Sequence, residues 1–87
     1  MEKRREARQS AAGPVRLTPR DPSLAKDMQA ELQDVSASGF RAKHGCPLFY
    51  NGLEVEFAHA GATGRARVVW NRIQGTEVES GFWILPQ

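Results

Sequence analysis

The sequence predicts an all-β protein, a small six-stranded antiparallel β-barrel with a flexible basic N-terminal segment. Apolar and polar residues alternate in six segments, which is the period of a half-buried strand. Turn-forming residues separate these segments at short intervals. The 87 residues have room for one small core, and closing the sheet into a barrel buries one face of every strand without leaving exposed edges.

The first two predicted strands are residues 14–19 and 27–35. The first is PVRLTP, in which Val15 and Leu17 share one face and the flanking prolines suit an edge strand. The second is DMQAELQDV, which carries apolar side chains at three alternating positions. Its Glu, Gln and Ala content would also allow a helical turn, so the pattern favours a strand without excluding helix.

The next two predicted strands are residues 39–44 and 52–59. In GFRAKH, Phe40 and Ala42 lie opposite two basic residues. In GLEVEFAH, three apolar residues alternate with two glutamates, which is the clearest strand pattern in the chain.

The last two predicted strands are residues 65–73 and 77–86. In RARVVWNRI, Trp70 continues the apolar face of the alternating pattern. The closing run, EVESGFWILP, is rich in β-forming residues. We expect Trp70, Phe82 and Trp83 to lie in the core or at the rim of the barrel rather than to act as stacking platforms.

Composition indicates one folded domain, with residues 1–12 as a flexible segment and residues 13–87 as the barrel. The N-terminus is charged and has no apolar stretch behind it, so we expect neither a signal peptide nor a membrane span. Cys46 is the only cysteine, which excludes an intrachain disulfide and agrees with a reducing compartment. We therefore expect a cytoplasmic protein.

Positive charge is concentrated at one end of the chain. Residues 1–20 carry six Lys or Arg against two Glu, whereas residues 21–87 carry six basic against eight acidic residues. A protein that binds long nucleic acid usually spreads basic residues along a face, so we do not expect that partner. The cluster suits a small anionic ligand, a membrane headgroup or simple solvation.

The sequence offers no arrangement typical of an enzyme. His44 and His59 have no carboxylate or cysteine partners at metal-ligand spacing, and there is no nucleophile with a nearby base or phosphate-binding loop. We expect no catalytic residue, no metal site and no cofactor.

The stretch DVSASG, residues 34–39, places a carboxylate, a hydroxyl and a glycine close together. Asp34 and Ser36 are two residues apart at the end of a predicted strand, so their side chains should leave the same face. Gly39 can let the backbone approach a ligand closely. The structural alternative is a turn in which Asp34 and Ser36 cap backbone N–H groups.

Two motifs together resemble the PilZ domain, a bacterial module that binds cyclic di-GMP. They are R-x-x-x-R at Arg4 and Arg8 and D-x-S-x-x-G at Asp34, Ser36 and Gly39. Segments 64–70 and 78–82 are similar to the late strands of that family, and the family fold is a six-stranded antiparallel barrel.

The resemblance implies a receptor for cyclic di-GMP that is not an enzyme. Arg4 and Arg8 would bind phosphate and guanine through their fork of donors, and Asp34 would accept guanine N–H groups. Ser36 would add a hydroxyl and Gly39 would allow close approach of the base.

Lys3 and Arg5 are possible additional ligand contacts, and solvent exposure is an equal alternative for both. The N-terminal segment would become ordered on binding, and an unidentified downstream protein would recognise the change. The alternative is a PilZ-like interaction module that does not bind the nucleotide and docks on a motility or envelope complex. A third possibility is a small barrel that binds nucleic acid through a basic face.

Overall fold

The computed structural model describes residues 9–24, 26–60 and 62–86, and all the regular elements in these ranges are strands. The seven strands are β1 (Gln9–Ser10), β2 (Pro14–Pro19), β3 (Met28–Val35), β4 (Gly39–His44), β5 (Glu54–His59), β6 (Ala62–Gln74) and β7 (Glu77–Ile84). The described part of the chain holds no helix with the length and apolar character needed to cross a membrane.

The strands form a closed antiparallel barrel. Hydrogen-bonded neighbours follow the order β1-β3-β2-β5-β6-β7-β4, and pairing between β3 and β4 closes the sheet into six strands with β1 as an extra one. The predicted fold class is confirmed, and each of the six predicted segments contains one strand, including the segment that could have been helical. The sequence did not predict β1, because two polar residues carry no alternating pattern.

The connections divide between the two ends of the barrel. The β3–β4 and β5–β6 hairpin turns share one end, whereas the β2–β3 and β6–β7 connections share the other. The β4–β5 connection, residues 45–53, joins strands that are not neighbours and therefore crosses that second end. Its Phe49 and Leu53 are buried, so the connection caps the core there.

The core consists of the inward-facing side chains of all six barrel strands and the β4–β5 connection. Phe40 lies at its centre, with ring centroids 4.7 Å from Phe82 and 5.0 Å from Phe57. The buried apolar residues are Val15, Leu17, Ala30, Leu32, Phe40, Ala42, Phe49, Leu53, Val55, Phe57, Ala66, Val68 and Phe82. These include the predicted apolar faces of all six strands up to the points where the register shifts.

Two register shifts change which side chains face outward. In β6 the shift falls between Val68 and Trp70, so Trp70 pairs with Gly81 on the outer face instead of continuing the inward face. The predicted inward position of Trp70 is therefore wrong. The expectation for Trp83 is also wrong, since its side chain is 54% exposed on the outer face, whereas Phe82 is in the core as expected.

Candidate functional site at the end of strand β3

Ser36 lies in the tight turn between β3 and β4. Its backbone N–H donates to the carbonyl of Gly39 at 2.8 Å, and its hydroxyl donates to the same oxygen at 3.4 Å. Ser36 thus stabilises the turn, but its hydroxyl donates to a carbonyl, whereas the structural alternative had the side chain accept from backbone N–H groups. The hydroxyl lies beside the end of β3, where the resemblance to the PilZ domain implies that the ligand binds.

Gly39 is required by the packing of β4 against β7. A Cβ atom at this position would overlap the backbone carbonyl oxygen of Phe82, which cannot move without shifting the strand. The close approach at Gly39 is therefore between strands β4 and β7. This packing explains why the D-x-S-x-x-G motif has glycine here, and it requires no ligand.

Asp34 faces outward because of a register shift in β3. Leu32 pairs with Ala42, and Asp34 pairs with Arg41, so Gln33 is an extra residue in the ladder. Without that shift, alternation from Leu32 would place Asp34 in the core. The sequence could not show this, and the expectation that Asp34 and Ser36 share a strand face does not apply, since Ser36 follows the end of the strand.

A charged ladder crosses the outer surface of four strands. Arg41 on β4 lies 2.5 Å from the Asp34 carboxylate and 3.8 Å from that of Glu79 on β7, and Arg72 on β6 donates to Glu79 at 2.7 Å. Asp34 and Glu79 are 6% and 8% exposed, so both carboxylates require such partners. The Nε of Arg41 is buried and has no hydrogen-bond partner.

The N-terminal strand lies directly beside this ladder. Gln9 pairs with Val35 and Ser10 with Asp34, and the N–H of Ala11 donates to Gln33 at 3.1 Å. Part of the segment expected to be flexible is thus paired through its backbone. The predicted site residues Lys3, Arg4, Arg5 and Arg8 lie outside the described residues, although Arg8 directly precedes Gln9 in the sequence.

The structure adds residues that sequence reasoning did not assign to the site. Arg41 and Glu79 join the ladder, and Trp83 pairs with Gly39 across β4 and β7. In the sequence, Arg41 is only one of the two basic residues opposite Phe40 and Ala42. Its spacing from Asp34 is typical of a hairpin pair, but the exact partner depends on the register shift.

A separate polar network lies inside the barrel at the opposite end. The N–H of Cys46 donates to Nδ1 of His44 at 3.1 Å, so the ring proton is on Nε2, which donates to Ser80 at 2.7 Å. The Ser80 hydroxyl donates to Asn71 at 2.6 Å. Burial lowers the pKa of His44 to about 4, which keeps the imidazole neutral. Ser80 is fully buried, and the network satisfies polar groups within the core.

No group of three or more His, Cys, Asp or Glu side chains is placed to hold a metal ion in residues 9–24, 26–60 and 62–86. Comparison with models of known protein families and with curated proteins gave no match for this chain.

Proposed function

We propose that this protein is a PilZ-like receptor for cyclic di-GMP. The observation that supports it most is the pairing of β1 with the end of β3, which sets Gln9 and Ser10 beside Val35 and Asp34. The R-x-x-x-R motif ends one residue before this strand pair, and the D-x-S-x-x-G motif begins within it. The residues that directly follow the first motif are thus paired with the start of the second, which supports a site shared by the two.

The proposed chemistry follows from what the ligand presents, which is two phosphates and two guanines. Arg4 and Arg8 bind phosphate oxygens or the O6 and N7 edge of guanine with paired donors, a geometry that lysine cannot match. Asp34 accepts hydrogen bonds from N1–H and N2–H of one guanine. Adenine has no matching pair of donors on this edge, so Asp34 supplies base selectivity.

Arg41 prepares Asp34 for this role in the proposal. The ion pair with Arg41 holds the Asp34 carboxylate in a fixed orientation on the outer face. Because Asp34 is almost fully buried, a ligand reaches it only after neighbouring groups move. Arg41 is the more exposed member of this pair, with 37% of its side chain exposed against 9% for Asp34.

The proposed output is a change in the N-terminal segment. A ligand held between the arginines and Asp34 bridges that segment to the barrel and fixes its position, and an unidentified downstream protein recognises the altered surface. In this proposal the protein acts in the cytoplasm and binds its ligand without chemical conversion.

Isothermal titration with cyclic di-GMP tests the proposal. Binding by the wild type should weaken about tenfold or more in Arg4→Ala and in Arg8→Ala, since each charge-assisted hydrogen bond contributes roughly 1.5 to 3 kcal/mol. Arg20→Ala is the matched control, because it removes one arginine that pairs with Glu56 at the opposite end of the barrel. Absence of binding by the wild type would refute the receptor, and equal losses in all three variants would refute the assigned site.

A further inference from the structure

Three apolar side chains lie next to one another on the outer face of β6 and β7. Trp83 is 54% exposed and pairs with Arg67 of β6, so Val69, two residues further along β6, is its diagonal neighbour. Val69 is 43% exposed. Trp70 follows it, and the Trp70 indole lies over Gly81 of β7, the residue two positions before Trp83. We call Val69, Trp70 and Trp83 the tryptophan patch.

The register shift in β6 produces this patch. Val68 faces the core, so regular alternation would direct Trp70 inward as well and leave Val69 alone on the surface. The shift turns Trp70 outward, which places two consecutive apolar residues on the outside of the barrel. Val68 and Phe82 fill the core positions here, so interior packing does not account for the patch. Apolar side chains grouped on an outer face instead indicate an interaction surface.

The charged residues around the patch are almost balanced. Four arginines of the described chain border it, and each lies within ion-pair distance of a carboxylate. Four arginines against three carboxylates leave a formal charge of +1. The arginines are Arg41, Arg65, Arg67 and Arg72, and the carboxylates are those of Asp34, Glu54 and Glu79. Such a border offers little attraction to nucleic acid or to an anionic membrane, which bind through a net positive field.

A nearly neutral border suits contact with a second copy of the chain. In a two-fold interface the same surface of each copy faces the other, so any net charge at its border meets its own kind and repels. Aromatic rings can pack against the same rings across the axis, and guanidinium groups can lie over them. The second kind of contact already occurs within one chain, where the Arg72 guanidinium is 6.0 Å from the centroid of the Trp70 ring. We propose that the tryptophan patch is the contact surface of a homodimer.

The size of the patch predicts a weak dimer. A fully covered aromatic side chain buries about 150 to 250 Å², so the patch covers on the order of 300 Å² on each copy. A standard stable interface buries about 800 Å² per partner. We therefore expect a dissociation constant of roughly 10 µM to 1 mM, with the monomer predominating at lower concentrations.

Sedimentation equilibrium of the protein without ligand, over this range of concentrations, tests the proposal. The wild-type mass should rise from 9.7 kDa toward twice that value. Trp83→Glu places a carboxylate in the contact and should stay monomeric. Leu48→Glu is the matched control, since it adds the same charge at a residue that is 64% exposed in the β4–β5 connection, and it should dimerise like the wild type. A wild-type mass that stays at the monomer value, or an equal effect of both substitutions, would overturn the proposal.

An NMR dilution series of the ¹⁵N-labelled wild type tests the same contact without any substitution. We expect amide shifts that depend on protein concentration in residues 67–72 and 81–84. Shifts centred on residues 45–53 instead would place the contact at the opposite end of the barrel and would contradict the proposal. Both experiments omit the nucleotide, so their outcome is independent of whether the protein binds cyclic di-GMP.

Discussion

Asp34 has a structural role, in its ion pair with Arg41, and a proposed functional role in recognising guanine. Its carboxylate is almost fully buried, and Arg41 neutralises it at 2.5 Å. Removing either member breaks this buried ion pair, so both residues contribute to stability. A change in stability alone therefore cannot show whether Asp34 also recognises guanine, and selectivity is the property that separates the two roles.

We predict that Asp34→Ala lowers the ratio of affinities for cyclic di-GMP over cyclic di-AMP. The matched variant Arg41→Gln breaks the same ion pair but keeps the carboxylate, so it should lower that ratio less than Asp34→Ala does. Both variants should lose stability, on the order of 1 kcal/mol or more. Titration of each variant with both ligands measures the ratio, and an unchanged ratio in Asp34→Ala would restrict Asp34 to a structural role.

Histidine is common in catalytic sites, but the hydrogen bonds of His44 stabilise the fold. It accepts from Cys46 and donates to Ser80 inside the barrel, and its pKa of about 4 results from burial. Protonation would place a charge in the core and remove the acceptor at Nδ1. The folded state therefore disfavours the proton that the unfolded chain binds near pH 6.5.

We predict that this histidine makes the protein less stable in acid. The stabilisation is complete above about pH 6.5 and is lost as the pH falls toward 4, with a slope of up to about 1.4 kcal/mol per pH unit. His44→Gln keeps a donor and an acceptor but does not titrate, so its stability should depend less on pH in this range. Urea unfolding of both proteins at a series of pH values measures the difference, and equal slopes would contradict the assignment.

At the scale of strands, the two register shifts determine the outer surface. Alternation in the sequence predicts which segments are strands, because each apolar face must meet the core. It cannot locate an extra residue, since Gln33 and Val69 are ordinary strand residues. Beyond each shift, the predicted and observed faces are opposite. This is why the positions of Val15, Leu32 and Val55 could be predicted and that of Trp70 could not.

Two glycines allow the strands to pack, and they should differ in their tolerance of a methyl group. A Cβ at Gly39 would overlap the backbone of β7, whereas a Cβ at Gly81 would overlap the indole of Trp70, a partly exposed side chain that can move. We predict that Gly39→Ala destabilises the apo protein by about 1 to 3 kcal/mol and that Gly81→Ala costs less.

Thermal unfolding of the two variants without ligand measures which substitution destabilises the protein more. A Gly39→Ala protein as stable as the wild type would mean that strand packing does not account for this glycine, and a role in ligand approach would then be the remaining explanation from the sequence.

At the scale of the whole molecule, the two ends of the barrel are built from different groups. One end carries the β3–β4 turn, Asp34 and the start of the paired N-terminal strand, and the charged ladder runs from there along the outer surface to Glu79 and Arg72, near the β6–β7 connection. The other is capped by the β4–β5 connection and stabilised by the His44 network. The sequence could indicate Asp34, Ser36 and Gly39 as a group because they are local. Glu79 comes near Asp34 through Arg41 only because β7 pairs with β4.

The same limit applies to the N-terminal segment. The sequence shows the charge of this segment but not its attachment to the barrel. Gln9 and Ser10 are held on β3 by backbone hydrogen bonds rather than by apolar side chains, so no residue pattern marks the contact. The pairing of Gln9 and Ser10 with the end of β3 is therefore a property of the fold, and the receptor proposal depends on it.

The most direct test of this account is an NMR titration of the ¹⁵N-labelled protein with cyclic di-GMP. We expect the largest amide shifts at Ser10, Asp34 and Gly39 and in the N-terminal arginines, with little change in residues 45–53 at the opposite end of the barrel. An absence of shifts at excess ligand, or shifts centred on residues 45–53, would contradict a shared site between the N-terminal segment and the end of β3.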